Sequence, residues 1–224
     1  MRYITKTIPP DEISEALEEA FNNELSWNDF GRDYSRARYQ LRHYLKQEQS
    51  GLCAYSEVSF KDFDFHIEHI KPKGRTSYPE LRFTYENLVA SSPKHKTDVQ
   101  GPNDLFGGHQ KEENYDENLF ISPTTHDCAR FFQYSPNGSI GPSILLSDSD
   151  KLRANHTIDC LGLESSKLLV NLRRRAYTLM QSQIEWLIDE PVEAIEEFLE
   201  TYFELDAEGS LKPFQSLVMQ IAGK

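Results

Sequence analysis

The amino-acid sequence predicts an α+β protein that is mainly helical and contains a small strand-bearing core. Helices are indicated because apolar residues recur every three to four positions in several stretches. Residues 165–189 show this spacing best, through a stripe that consists of Leu168, Leu169, Leu172, Ala176, Leu179, Met180, Ile184 and Leu187. An extended segment is indicated by the apolar residues at 63, 65, 67 and 70, and Pro72 should end it near Lys71.

The same reasoning places the remaining elements along the chain. Further helices are predicted over residues 12–25, 35–49, 149–157, 192–205 and 211–221. A short strand is expected over 118–122, and the Asn137-Gly138 pair predicts a hairpin within 131–140. The polar residues between 94 and 117 form a loop long enough to suggest a functional role.

Composition limits the class of protein. With 224 residues, 38% hydrophobic and 12% aromatic, the chain can bury a sizeable core and is typical of globular proteins. No apolar run approaches the roughly 20 residues of a membrane span, and the first residues lack the apolar region of a signal peptide. Three cysteines, Cys53, Cys128 and Cys160, argue against a disulfide scaffold, so we expect a cytoplasmic protein.

The net charge of −12 is unusual for a protein that binds nucleic acid, because affinity for phosphate comes largely from Lys and Arg. Residues 61–100 are the only positive part of the chain, with seven basic and six acidic residues. Because this local excess is only +1 and the net charge is −12, we expect the isolated chain to bind bare DNA poorly. A predicted helix carries four arginines, Arg32, Arg36, Arg38 and Arg42. Their side chains could contact phosphates, but we expect them rather to pair with nearby acids or to face solvent.

The positive stretch also carries the candidate catalytic residues. Along a strand, His66 and Glu68 should share one face and His69 the other. A neutral histidine can accept a proton from water, and a carboxylate can hold a hard cation such as Mg²⁺. Asn87 and His95 lie downstream, where they could orient the base and complete a metal shell. The competing interpretation is that these are scattered polar residues on a surface rich in loops.

Several segments resemble a known family. Residues 66–73 (His-Ile-Glu-His-Ile-Lys-Pro-Lys), residues 85–91 and Lys96 resemble the HNH, or ββα-metal, nuclease motif. Residues 53–57, 119–123, 127–134 with Asn137-Gly138, and 161–163 extend the similarity to the HNH nuclease family of the Septu anti-phage system (PtuB), which also occurs with some retrons. The resemblance covers roughly residues 1–190. It implies an embedded ββα-metal core and a DNA endonuclease.

The resemblance implies a role for each matching residue. His69 matches the general base, Glu68 the acid that binds catalytic Mg²⁺ or Mn²⁺, and Asn87 the asparagine that braces the loop of the base. His95 is the expected third metal-site residue, and Asp98 is an alternative ligand. Cysteines of relatives are replaced here by serines at 56 and 92, so a structural zinc should be absent or weak.

The resemblance also implies a partner, an ABC/SMC-like ATPase of the PtuA type, in a hetero-oligomer. This chain has no Gly-x-x-x-x-Gly-Lys-Ser/Thr loop, so ATP dependence would come from another chain. We therefore divide the chain into a nuclease region, 1–145, and a helical docking region, 146–224, in which Arg173–Arg175 could contact the partner. Two other functions remain open: an inactive HNH-fold scaffold and a zinc-binding regulatory protein.

Overall fold

The computed structural model describes residues 1–74, 77–187 and 189–223, which form a mixture of helices and short strands that fits the predicted α+β class. The helices of these residues are α1 Asp11–Asn22, α2 Trp27–Asp33, α3 Ser35–Glu48, α4 Gly108–Lys111, α5 Asp148–Cys160, α6 Lys167–Trp186, α7 Val192–Phe203 and α8 Gln215–Ile221. The strands are β1 His66–His69, β2 Leu88–Ser91, β3 Phe132–Tyr134 and β4 Ile140–Pro142.

Helices α1 and α3 form where the sequence predicts them, and they pack on each other. The apolar side chains of α1 lie three or four positions apart on one buried face: Ile13, Ala16, Leu17 and Ala20. Helix α2 is an element that the sequence analysis missed. The hydroxyl of Ser26 begins it by accepting a hydrogen bond from the backbone N–H of Asp29 at 3.1 Å. This short helix buries Trp27, which reaches the candidate active site.

Strands β1 and β2 form an antiparallel pair in which His69 lies opposite Leu88 and His66 opposite Ser91. Side chains of β1 alternate as predicted: Ile67 and His69 are buried, whereas His66 and Glu68 are partly exposed on the other face. The side chain of Gln49 ties the end of α3 to this pair. It donates to the carbonyl of Ala90 at 2.9 Å and accepts from the N–H of the same residue at 2.7 Å.

The segment after β2 contains little regular structure. It has a 3-10 turn at Lys96–Asp98 and the four-residue helix α4, so the ββα-metal core stays a prediction. The predicted strand at 118–122 is wrong, because these residues form turns and coil. The predicted hairpin is confirmed by β3 and β4, which pair across the Asn137-Gly138 turn. There Gly138 has φ +89° and lies so close to α6 that an added Cβ would be 2.0 Å from the carbonyl oxygen of Val170.

The C-terminal helices pack against the N-terminal region. One hydrophobic core includes residues from α1 as well as residues from α6 and α8. The side chain of Gln220 exchanges hydrogen bonds with the backbone of Tyr134, both at 2.8 Å. The division at residues 145 and 146 stays a prediction, but the described part of 146–224 shares a core with 1–145. Within the described residues, no helix combines the length and the apolar character that crossing a bilayer requires.

Two side chains of α6 differ from the sequence-based expectation. Leu179, which the periodic stripe placed in the core, is 62% exposed. Arg173 is 2% exposed instead of lying on the surface. Its guanidinium donates to the carbonyl oxygens of Gly138 at 2.7 Å and Leu163 at 2.6 Å, so it links α6 to the β3–β4 turn. The side chain of Arg173 is therefore structural and not exposed to a partner, while docking through this region stays a prediction.

Candidate active site

His69 lies at the end of β1 with its ring enclosed by protein. It is 2% exposed, and Trp27 packs edge-on against it with ring centroids 4.5 Å apart. Its Nε2 lies 2.9 Å from the carbonyl oxygen of Arg82. Because a carbonyl oxygen can only accept, Nε2 carries the proton and donates it. The remaining ring nitrogen, Nδ1, is therefore an acceptor.

The Nδ1 atom of His69 is buried and has no hydrogen-bond partner among the residues that the structure describes. Burial, with a further contribution from the Lys73 ammonium, lowers the pKa of His69 to about 3. The ring is thus neutral at physiological pH, with a fixed tautomer and a lone pair available. An unpaired buried acceptor of this kind is uncommon and calls for a reason, and a water molecule to be deprotonated would satisfy it.

Glu68 lies on the opposite face of β1 from His69, and a basic side chain contacts each of its oxygens. The Lys111 ammonium is 3.0 Å from Oε1, and the Nε2 atom of His66 is 3.3 Å from Oε2. Burial by itself would raise the pKa of Glu68, but the His66 hydrogen bond and the Lys111 charge lower it to about 2. Glu68 is therefore ionised at neutral pH.

Asn87 is buried and holds the loop that follows β1. Its Oδ1 accepts from the N–H of Lys71 at 2.8 Å, and its Nδ2 donates to the carbonyl oxygens of Lys71 at 3.0 Å and Leu81 at 3.1 Å. Leu81 immediately precedes Arg82, whose carbonyl fixes His69. Asn87 therefore braces both ends of the loop that sets the orientation of His69.

Two residues that the sequence analysis did not single out, His109 and Lys111, approach Glu68 from α4. His109 stacks on His66 with ring centroids 4.1 Å apart, and its Nε2 donates to the carbonyl of Lys94 at 2.9 Å. Lys111 is only 1% exposed. The preceding Gly108 permits this approach, since an added Cβ would lie 2.5 Å from the Glu68 carboxylate. The Gly107-Gly108-His109 sequence is therefore the feature by which the sequence could have indicated that this segment approaches Glu68.

His95 and Asp98 lie elsewhere. Both are exposed, and the carboxylate of Asp98 accepts from the backbone N–H of His95 at 2.9 Å, which closes a 3-10 turn. A cleft of about 350 Å³ contains Glu68 and His69 but not the buried Asn87, and its lining consists of His66, Ile67, Glu68, His69, Pro72, Lys73, Lys96, Gly108, His109, Glu112 and Glu113. The structure thus brings Glu68 and His69 together in one cleft and places His95 beside a separate one.

The donors around Glu68 have the chemistry of a divalent-cation site. His66 donates Nδ1–H to the carbonyl of Pro93 at 2.8 Å, and its Nε2, which hydrogen-bonds to Glu68 in this structure, would bind a metal ion after releasing its proton. Metal-binding histidines are usually held in this way by a backbone carbonyl. As they stand, however, no three His, Cys, Asp or Glu side chains of the described residues are arranged to hold a metal ion. The cation that contacts Glu68 is the ammonium of Lys111.

The positions expected to bear on zinc also meet in space. The Sγ of Cys53 accepts from the N–H of Ser92 at 3.3 Å and lies 3.9 Å from the hydroxyl of Ser91. Ser56, three positions after Cys53, is buried, and its hydroxyl has no hydrogen-bond partner in the described part of the chain. A single thiol among hydroxyls is a poor donor set for zinc, so weak or absent zinc binding stays a prediction.

Comparison with known proteins adds independent information. No protein-family profile matches the chain. The chain is 31% identical over 158 residues to a protein of Vibrio cholerae serotype O1 biovar El Tor named "Retron Vc95 putative HNH endonuclease". The aligned part covers 70% of this chain and 73% of that protein.

Proposed function

This chain belongs to the HNH endonuclease family, and from that premise we propose that it hydrolyses phosphodiester bonds of DNA with the help of Mg²⁺ or Mn²⁺. The observation that carries the proposal is the state of His69. Its ring is neutral, its Nε2–H is held by the carbonyl of Arg82, and its Nδ1 lone pair has no partner within 1–74, 77–187 and 189–223. A neutral ring with a fixed tautomer and an unpaired nitrogen meets the geometric requirements of a general base. Its basicity must rise when water enters the site, because burial is the main cause of the lowered pKa and a base works best with a pKa near the operating pH.

In the proposed mechanism, His69 orients the attacking water and accepts its proton at Nδ1. The contact with Trp27 and the hydrogen bond to Arg82 keep the ring from rotating. Asn87 maintains this geometry by bracing Lys71 and Leu81. Proton removal by a positioned base contributes roughly 10²–10⁴-fold to the rate.

Glu68, with His66 and His109, would hold the divalent cation. When bound there, the cation supplies positive charge that stabilises the charge developing on the phosphate. The cleft itself is lined by Lys73 and Lys96, which can attract a phosphate. His95, which lies beside a different cavity, has no part in the site that we propose.

The test is cleavage of plasmid DNA in Mg²⁺ or Mn²⁺ by the wild type, His69→Ala and His95→Ala. We expect His69→Ala to lose cleavage by roughly 10²–10⁴-fold, and His95→Ala to retain it. Circular dichroism should establish that both variants are folded. Equal cleavage by wild type and His69→Ala would refute the assignment of the base.

A second candidate function is a catalytically weak HNH-fold scaffold, and the Lys111–Glu68 contact favours it. An ammonium 3.0 Å from the carboxylate already neutralises the charge that would attract a metal ion. Metal binding discriminates the two candidates. Under the scaffold interpretation, isothermal titration with Mn²⁺ would detect no binding that depends on Glu68, and no cleavage would accompany it.

We further propose that the protein acts in anti-phage defence, as an effector subunit with an ABC/SMC-like ATPase. The name of the Vibrio cholerae relative refers to a retron, and this supports the defence setting. The test is a pull-down with the candidate ATPase and a cleavage assay with and without it. Because Arg173 is structural, the docking variants should change the exposed Arg174 and Arg175. Strong cleavage without the partner at physiological salt would refute the control by an ATPase.

A further inference from the structure

A second groove adjoins the candidate active site on the side of α3. Its volume is about 450 Å³, and its lining consists of Ser35, Arg38, Tyr39, Arg42, Phe65, His66, Ile67, Lys94 and His95. His66 and Ile67 line both this groove and the cleft of Glu68 and His69. A polymer bound in the groove would therefore lie beside the cleft.

The groove is positively charged in a chain whose net charge is −12. Arg38, Arg42 and Lys94 contribute three positive charges. The acid that pairs with them is Asp64, which contacts both Arg42 and Lys94. One carboxylate against three cations leaves a local excess of +2. Such a local excess attracts an anionic ligand against the overall negative charge of the protein.

The groove also presents an aromatic surface. Tyr39 is 63% exposed, and its ring is held by an edge-on contact with His43 at 4.5 Å between centroids. Arg38 is held as well, because its guanidinium lies 5.8 Å from the Trp27 ring, over Gly31. An exposed aromatic ring beside a row of cations is the arrangement by which proteins bind single-stranded nucleic acid, with bases stacked on the rings and phosphates on the cations.

We propose that this groove binds a single-stranded segment of DNA next to the cleavage position, with one unpaired base stacked on Tyr39 and its phosphates near Arg38, Arg42 and Lys94. The inference rests on the proposed nuclease function and adds its substrate class. A base inside a duplex has both faces covered by its neighbours, so it cannot stack on Tyr39. The groove therefore favours an unpaired strand over a duplex.

The test measures binding of a fluorescein-labelled 12-nucleotide single strand and of the same sequence as a duplex, by fluorescence anisotropy of the full chain in EDTA. Tyr39→Ala should weaken single-strand binding roughly 5- to 150-fold, the range expected for loss of one stacked base. Tyr39→Phe, which retains the ring, should restore it. Trp186→Ala is the matched control, because Trp186 is 82% exposed but lies far along the chain on α6.

The phosphate contacts are tested by the salt dependence of the same binding. Lys94→Ala should reduce the slope of log K against log [salt] by about 0.7, the value for one phosphate of a single strand. Arg175→Ala, which removes an exposed cation from α6, should leave the slope unchanged.

The outcomes separate this inference from the nuclease function, provided that cleavage of the same strand in Mn²⁺ is measured in parallel. The proposed role of the groove is overturned if Tyr39→Ala binds the single strand as tightly as the wild type does, or if it loses affinity for the duplex to the same extent. Either result counts against the groove even if the wild type cleaves DNA. Binding that depends on Tyr39, without cleavage either by the chain alone or with the candidate ATPase, supports the groove and refutes the nuclease function instead.

Discussion

The most informative substitution is Lys111→Met, which removes the buried ammonium from Glu68 and retains most of the side-chain volume. In the wild type, Nζ lies 3.0 Å from Oε1 of Glu68, and Lys111 is 1% exposed. The variant leaves the Glu68 carboxylate, whose side chain is only 12% exposed, with His66 as its remaining hydrogen-bond partner. Because an unpaired buried charge is strongly unfavourable, we expect the folded protein to be destabilised.

The size of the expected loss of stability follows from the burial of the Lys111–Glu68 ion pair. Removing one partner of a buried ion pair costs about 3–5 kcal/mol. For a chain of this size, each kcal/mol lowers Tm by about 2–4 °C, so Lys111→Met should lower Tm by about 6–20 °C in EDTA. A divalent cation would then find a carboxylate without a competing ammonium. Mn²⁺ should bind this variant more tightly than the wild type and recover part of the lost stability.

Thermal unfolding followed by circular dichroism, with EDTA and with Mn²⁺, measures both effects. Lys96→Met is the matched control, because Lys96 pairs with Glu112 on the surface and its loss should cost no more than about 1 kcal/mol. The double variant Lys111→Met/Glu68→Gln should regain much of the stability, because no buried charge remains. A Tm of Lys111→Met equal to the wild type in EDTA, or no recovery in the double variant, would refute the reasoning.

Three further predictions concern other residues. The pKa of His69 is about 3 in the folded protein, against an ordinary value of 6.5, so only the unfolded chain gains this proton as the pH falls from 6.5 to 4.5. Urea unfolding in EDTA should show that the free energy of unfolding of the wild type falls by up to about 1.4 kcal/mol per pH unit more than that of His69→Asn. Parallel plots of this free energy against pH for the two proteins would contradict the prediction. His109→Ala should weaken Mn²⁺ binding measured by calorimetry, whereas His95→Ala should not; the reverse order would restore His95 to the site. Arg173→Ala should lower the free energy of unfolding by about 3 kcal/mol or more, because two buried charge-assisted hydrogen bonds are lost. Arg175→Ala should change it by less than about 0.5 kcal/mol. Equal effects of the two substitutions would contradict a structural role for Arg173.

Local patterns in the sequence were sufficient for several features of this protein. Periodic apolar residues located α1, α3 and α6, because a helix that buries one face must repeat its apolar residues at that spacing. The strand alternation correctly placed His69 and Glu68 on opposite faces of β1. The motif around Glu68, His69 and Asn87 also indicated the HNH family, which the relative supports.

Other features depend on contacts between residues that are distant along the chain, and only the tertiary structure decided them. Lys111 and His109 approach Glu68 from more than 40 positions away, because Gly108 has no side chain and allows α4 to lie against Glu68 of β1. Trp27 reaches His69 from α2, a helix too short to give a periodic signal. His95 is close to the motif in sequence, yet the turn closed by Asp98 leaves it exposed outside the cleft.

The position of Arg173 shows the same difference between what local sequence predicts and what packing decides. Its residue type and its two arginine neighbours predict an exposed basic patch, since a guanidinium is rarely buried without partners. The carbonyl oxygens of Gly138 and Leu163 supply those partners, and they come from other elements of the fold. The sequence by itself thus determined which residues could do chemistry and which helices would form. Packing decided which of the charged groups meet in the cleft, because that depends on distances between elements that local pattern does not encode.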